Sequence, residues 1–273
     1  MRLFLLLLAS CLVSAFAKAQ LPQTPLNVGI PLHADYFYGV DDFNNIYYSN
    51  NNVLYKTPIA DNITIQTQQF YDVQLGDLTS VDLINPLKIL LFYRDTQTIV
   101  LLDNRLNESL RIKLANLQPY RYFEFATLAG ERRFWLYNMD LQRLELFDYL
   151  NDKLIWSSPA IKDQVQHMLS DYNYCHLVTD KGIASYNNYG SRTTYLKLPD
   201  ISLADYDFEH LLVLQNNNYK VYKFTRDYRF EEVDPKWKID GQEPPQSLYL
   251  KNGKLYIYRH NRVSVYPTNQ NKN

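Results

Sequence analysis

Glycine is scarce in this chain. Only 8 glycines occur in 273 residues, none of them in a phosphate-binding loop. Tight turns therefore fall largely to asparagine, which enters left-handed backbone more readily than other non-glycine residues. Charge of one sign is missing too. Lys and Arg number 28 against 29 Asp and Glu, a formal net charge of -1, so the clustered basic excess of a nucleic-acid binder is absent. Beyond the first residues no apolar run approaches the roughly 18 residues of a membrane-spanning helix. Motif-borne catalysis is excluded in the same way: there is no Gly-x-Ser-x-Gly elbow, no His-Glu-x-x-His and no Cys-x-x-Cys. What the chain has in quantity is aromatic. With 24 Tyr, 13 Phe and 3 Trp and 46% hydrophobic residues, it is a globular protein with a sizeable core in which strands dominate.

The N-terminus has the form of a targeting segment. Arg2 supplies the positive charge, Leu3 to Phe16 the apolar run and Ala17-Lys18-Ala19 a small-x-small cleavage site, so residues 1-19 are expected to be a signal peptide that leaves Gln20 first in the exported chain. A competing reading takes Leu8-Ala9-Ser10-Cys11 as a lipobox that would anchor the protein by lipid at Cys11. The apolar run continues through Ala17, which favours ordinary cleavage. The Ala-Gln junction resembles those of secreted proteins from Bacteroidota, and the resemblance implies the periplasm or outer surface of such a bacterium. Once Cys11 is removed, Cys175 is the single thiol and no internal disulfide can form. Within Tyr174-Cys175-His176-Leu177-Val178 it reads as a small buried hydrophobe, with His176 on the opposite strand face.

The rest of the chain repeats one grammar. Lys88 to Arg94 and Thr98 to Asp103, joined by Asp95-Thr96-Gln97, form a β-hairpin. Around it the sequence divides into units of four short strands. The first holds Asp35 to Val40, Asn45 to Tyr48, Val53 to Lys56 and Ile63 to Gln66; the second adds Val81 to Ile84 and Leu110 to Leu114 to the hairpin. The third holds Tyr122 to Ala126, Phe134 to Tyr137, Leu144 to Phe147 and Lys153 to Trp156. Val165 to Leu169, Cys175 to Thr179, Ile183 to Tyr186 and Thr194 to Leu198 make the fourth. The fifth is Ile201 to Asp205, Leu211 to Leu214, Lys220 to Phe224 and Tyr228 to Val233. The last has three strands, Ser247 to Leu250, Lys254 to Tyr258 and Arg262 to Tyr266, while Leu26 to Ile30 stands at the start without a partner.

Anchors near the ends of the third strands, Tyr55, Leu102, Phe147, Tyr186, Tyr222 and Tyr266, are spaced by 47, 45, 39, 36 and 44 residues. A period near forty with four strands per period predicts an all-β, six-bladed β-propeller over residues 20-273, in which the N-terminal strand completes the last blade. That closure also removes the unpaired edges of an open ring. A β-sandwich or β-helix is the alternative, but a sandwich has no regular four-strand period and β-helix repeats are shorter. The hairpin from Leu255 to Tyr266 resembles the repeat of YVTN-type and NHL-type bacterial propellers, which implies the same fold.

First strands line a propeller's central channel, so alternation brings their polar side chains toward the axis. The candidate binding residues there are Asp35, Tyr36, Tyr38, Asp82, Tyr122, Glu124, His167 and Asp205, with Asp207 a further acid. Crowded carboxylates raise one another's pKa and can do acid/base work or hold a cation. The histidines, His33, His167, His176, His210 and His260, are scattered about one per unit, and no metal or cofactor is expected. Fold, export and the missing motifs point to a monomeric, non-enzymatic protein-binding scaffold of the bacterial envelope, associated with an outer-membrane assembly or secretion complex. The alternative is a propeller that binds or cleaves glycan; it requires two of Asp35, Asp82, Glu124 and Asp205 to lie roughly 5 to 10 Å apart.

Overall fold

The computed structural model describes residues 29–59, 67–234, 239 and 243–267. It is all-β. Six four-stranded antiparallel sheets succeed one another as blades, and the described residues hold a single 3-10 turn, at Leu114–Asn116. Blade 1 is Tyr36–Val40, Asn45–Asn50, Val53–Pro58 and Gln68–Phe70, and blade 2 is Ser80–Asp82, Ile89–Tyr93, Thr98–Leu102 and Glu108–Lys113. Blade 3 is Phe123–Leu128, Arg133–Asn138, Arg143–Asp148 and Lys153–Ser157, and blade 4 is Val165–Ser170, Tyr174–Thr179, Gly182–Asn187 and Arg192–Lys197. Blade 5 is Ile201–Tyr206, His210–Gln215, Asn218–Phe224 and Phe230–Val233. Blade 6 is Ser247–Lys251, Lys254–Arg259 and Arg262–Pro267, completed on its outer side by Ile30–Pro31.

That last pairing closes the ring. Ile30 lies opposite Val263 and Pro31 opposite Arg262. The rest of the anticipated closing strand, residues 26–28, falls outside the described residues, as do the signal segment, Cys11 and Ile63 to Gln66. The fourth strand of blade 1 is Gln68–Phe70, a few residues later than the sequence suggests, with Phe70 opposite Leu54.

Side-chain alternation builds the core. Every residue of Ile89–Tyr93 and Thr98–Leu102 is buried, because both faces of a blade are covered by its neighbours. Leu90, Phe92, Ile99 and Leu101 pack toward blade 3, while Ile89, Leu91, Val100 and Leu102 pack toward blade 1. The same division recurs around the ring and yields six apolar clusters, one for each seam between blades. Alternation is interrupted near the start of four innermost strands by a bulge, at Phe37/Gly39, Phe123/Phe125, Val165/His167 and Ile201/Leu203. One extra residue there turns the side chains that precede it away from the simple two-residue period.

Asparagine does stand in for glycine. Among the described residues, 15 non-glycine residues have φ between 47° and 73°, and seven of them are Asn. Several turns share one device: Asp41 accepts N–H bonds from Phe43 and Asn45, Asp103 from Arg105 and Asn107, and Asn187 from Tyr189 and Ser191.

Candidate binding site in the central channel

The innermost strands run in one direction along the ring axis, so their C-terminal ends meet at one mouth of the channel. A cavity of about 370 Å³ opens there, lined by residues of all six innermost strands. Its polar side chains include Asp82, His167, Asp205, Asp207, Tyr249 and Lys251. A second pocket of about 250 Å³ lies at the N-terminal ends of the strands, among Asp35, Tyr36, Tyr38, Tyr249 and Tyr258. Tyr38, Thr79, Ser80, Val81 and Tyr249 border both.

Asp82 and Asp205 each reach across a seam. The Asp82 carboxylate accepts the N–H of Leu128 in blade 3 at 2.7 Å and that of Ile84 at 2.8 Å; the Asp205 carboxylate accepts the N–H of Leu250 in blade 6. Burial dominates both acids. It pushes Asp82 up to about 6 against the two N–H donors, and Asp205 up to about 7 against donation from Leu250 and Tyr206, with Asp207 adding like charge. Asp82 joins blade 2 to blade 3 and Asp205 joins blade 5 to blade 6, seams that lie three blades apart on the ring.

The mouth is rimmed by aromatic and charged groups. Lys251 pairs with Asp42 at 3.0 Å and sets its ammonium 5.7 Å from the centre of the Phe208 ring, which also packs on Tyr172. Phe208 is 45% exposed and has a φ of 73°, a left-handed conformation that a bulky side chain rarely adopts. Other exposed apolar side chains stand at turns of the same face: Phe43, Leu87, Leu150, Tyr189 and Tyr228. These turns follow the first or third strand of a blade, which in an antiparallel meander places them together at this end.

The sequence-derived candidates divide into three groups. Tyr38, Asp82, His167 and Asp205 share the larger cavity. Asp35 and Tyr36 belong to the opposite mouth, where the Asp35 carboxylate closes a turn by accepting the Asn51 N–H at 2.7 Å and Tyr36 stacks near Tyr38 with 6.3 Å between rings. Tyr122 and Glu124 border neither cavity: Glu124 is held by Arg94 at 2.7 Å, and the Tyr122 N–H donates to Asp140. The bulge at Phe123/Phe125 is the reason, since it upsets the alternation that would have aimed Glu124 at the axis. Sequence reasoning passed over Tyr249, Lys251 and Phe208, whose roles depend on which neighbouring blade each meets.

The remaining histidines stay apart. His176 is buried between blades 4 and 5, its Nδ1 2.8 Å from the Ser185 hydroxyl and its ring against Tyr206 and Phe224; burial lowers its pKa to about 3. Burial also lowers His167. Cys175 faces the other side of its strand, and burial raises its thiol well above the ordinary value. Among the described residues, no three of His, Cys, Asp and Glu come together in a way that could hold a metal ion.

No known protein family matches the chain, and no curated protein matches it. Solved propellers do. The WD40 domain of Neurospora crassa Pan2 matches with a TM-score of 0.56 and 7% identity, over 88% of this chain and 78% of that one. Virginiamycin B lyase from Staphylococcus aureus matches with a TM-score of 0.55 and 11% identity, over 88% and 87%. BamB from Moraxella catarrhalis matches with a TM-score of 0.47 and 11% identity, over 82% and 70%. The chain is a six-bladed β-propeller, and at these identities the likeness concerns the fold alone. No helix among the described residues is long and apolar enough to cross a membrane.

Proposed function

We propose that this protein is a non-enzymatic binding module of the bacterial cell envelope, exported by the signal peptide at 1-19, monomeric, and engaging a protein partner of an outer-membrane assembly or secretion complex through the rim of the larger cavity. Phe208 carries the reading. An exposed phenylalanine held in left-handed backbone costs folding free energy, on the order of 1 to 3 kcal/mol, and contributes little to the core; such a residue fits a contact with something outside the chain. The channel acids support the same view, because their carboxylates are engaged by backbone N–H groups of the blades they join.

The test is affinity capture from solubilised envelope of the native host with the tagged mature chain, read by mass spectrometry. A stoichiometric envelope protein captured by the wild type and lost with Phe208→Asn supports the reading. An empty capture, or one that Phe208→Asn leaves unchanged, overturns it. A glycan-directed role is the second reading, favoured by one observation: Asp82 and Asp205 share a cavity with Tyr38 and Tyr249. Glycan-array binding that both Asp82→Asn and Asp205→Asn abolish would favour it over the first.

A further inference from the structure

Among the described residues, three buried side-chain nitrogens have no hydrogen-bond partner: Arg121 Nε, Arg259 Nε and His176 Nε2. Both arginines are engaged elsewhere on their guanidinium groups, Arg121 by Glu145 at 2.8 Å and Arg259 by the Tyr219 side chain. His176 has no such outlet. It is fully buried in the second strand of blade 4, and its one hydrogen bond joins Nδ1 to the Ser185 hydroxyl at 2.8 Å. Aromatic rings enclose the rest, with centroids at 4.4 Å for Tyr206, 5.2 Å for Phe224, 5.6 Å for Phe230 and 6.5 Å for Tyr174. A buried polar atom left unpaired costs free energy and calls for a reason.

Nothing in this cage can accept a charge. Leu169 lies opposite His176 on the first strand of blade 4, and the Tyr174 hydroxyl is shared with Tyr228. Lys223 and Glu231 flank Phe224 and Phe230, pair opposite each other in register, and so stand on the other face of their strands. His167, two residues before Leu169, meets the Ser202 backbone. The nearest acid is Asp171, which lies behind the Tyr206 hydroxyl at 3.3 Å and is occupied by the N–H groups of Asn173 and Tyr174. A protonated ring would therefore carry two N–H donors with one acceptor between them. Tyr206 connects the cage to the rim: its ring rests on His176, and its hydroxyl donates to the Phe208 carbonyl at 2.8 Å, inside the turn that holds Phe208 in left-handed backbone.

We propose that His176 is an acid-sensitive latch: on protonation the seam between blades 4 and 5 opens locally at the channel mouth and frees the turn that carries Phe208. Free imidazole titrates near about 6.5, whereas burial lowers the enclosed ring to about 3. Between those values the opened seam binds a proton that the closed seam does not, so closure is lost as the pH falls. Asp171, raised by burial, opposes this in part, since its protonation favours the closed form. The switch is a property of the chain alone; only its consequence, release of a partner held by Phe208 on acidification, rests on the function proposed above.

The experiment is amide hydrogen exchange of the folded mature protein, read by mass spectrometry at about pH 7 and about pH 5 and corrected for intrinsic rates. Protection over residues 171–176 and 206–210 is expected to fall by about tenfold or more at the lower pH, while the blade 2 hairpin at residues 89–102 keeps its own. His176→Gln, which keeps a partner for Ser185, and His176→Phe, which fills the cage, are each expected to abolish most of the fall. Tyr206→Phe keeps the ring contact but not the bond to Phe208; it is expected to leave residues 206–210 poorly protected at both pH values, with the acid response of residues 171–176 intact. Melting curves check that each variant is folded. An equal fall in the blade 2 hairpin, no fall in the wild type, or a fall that both His176 variants retain would overturn the proposal. No partner enters the experiment, so its outcome is independent of the envelope capture.

Discussion

The turns at the channel-mouth face and the channel itself both use aspartate, to opposite effect. Asp103 sits in a turn where the Asn107 side chain and the N–H groups of Asn107 and Arg105 saturate it, and its pKa is held below the ordinary value. Asp148 follows the same plan; burial opposes it but is outweighed by Asn151 and by Arg132 at 3.2 Å. Asp82 and Asp205 receive fewer donors in a drier setting, and burial wins. Whether an acid stabilises the fold as an anion is decided by how many donors reach it and by the water it has lost.

Breaking the contrast at the channel should give the largest effect. Asp82→Ala strands the buried N–H groups of Leu128 and Ile84 and is expected to lower stability by about 1 to 3 kcal/mol, read from urea denaturation. A change near zero would mean that this seam does not rely on the carboxylate.

The pH profile sharpens the same contrast. In the unfolded chain both acids titrate near about 3.9, so the folded chain binds more protons between that value and its own raised pKa values. Stability must then rise as the pH falls from about 8 to about 6.5. His176 acts in reverse: its pKa of about 3 when folded lies below the unfolded value of about 6.5, so stability is lost as the pH drops further. At about pH 6 the two raised acids outweigh the one lowered histidine, so the protein is expected to be more stable at about pH 6 than at about pH 8, with that gain reduced in Asp205→Asn. A steady gain from pH 6 to 8 in the wild type would contradict the assignment.

At the turns the changes are smaller. Asp103→Ala removes a cap that water can partly replace, and a loss of about 0.5 to 1 kcal/mol is expected from the same denaturation experiment. Smallest is Phe208→Asn, which replaces a strained bulky residue with one that tolerates left-handed backbone; a slight rise in melting temperature, together with lost capture of the partner, is expected. A fall in melting temperature would show that Phe208 serves the fold.

Much of the architecture was legible because a blade is a local object. The hairpin over residues 88–103 announced itself by two apolar runs around a polar turn, and its strands lie at Ile89–Tyr93 and Thr98–Leu102. Closure followed from counting, since a missing last strand and a surplus first one make up one blade, and Ile30 does lie opposite Val263. The site was legible only in part. Asp82, Asp205, Tyr38 and His167 reach the larger cavity as alternation suggests, whereas Glu124 does not, because a bulge is set by backbone pairing and leaves no residue signature here. Tyr249 and Lys251 had no local mark at all.

Sequence by itself therefore determined the repeat, the strand faces away from the bulges and the closing of the ring, all of which depend on apolar residues at a period of two and on breakers between them. The tertiary structure decided which acids lose water on folding, which backbone N–H groups they meet and which aromatic is held at the rim. Those properties belong to contacts between groups 40 or more residues apart, such as the Asp82 carboxylate with the Leu128 N–H and the Asp205 carboxylate with the Leu250 N–H, and both the loss of water and the supply of donors exist only once neighbouring blades have met.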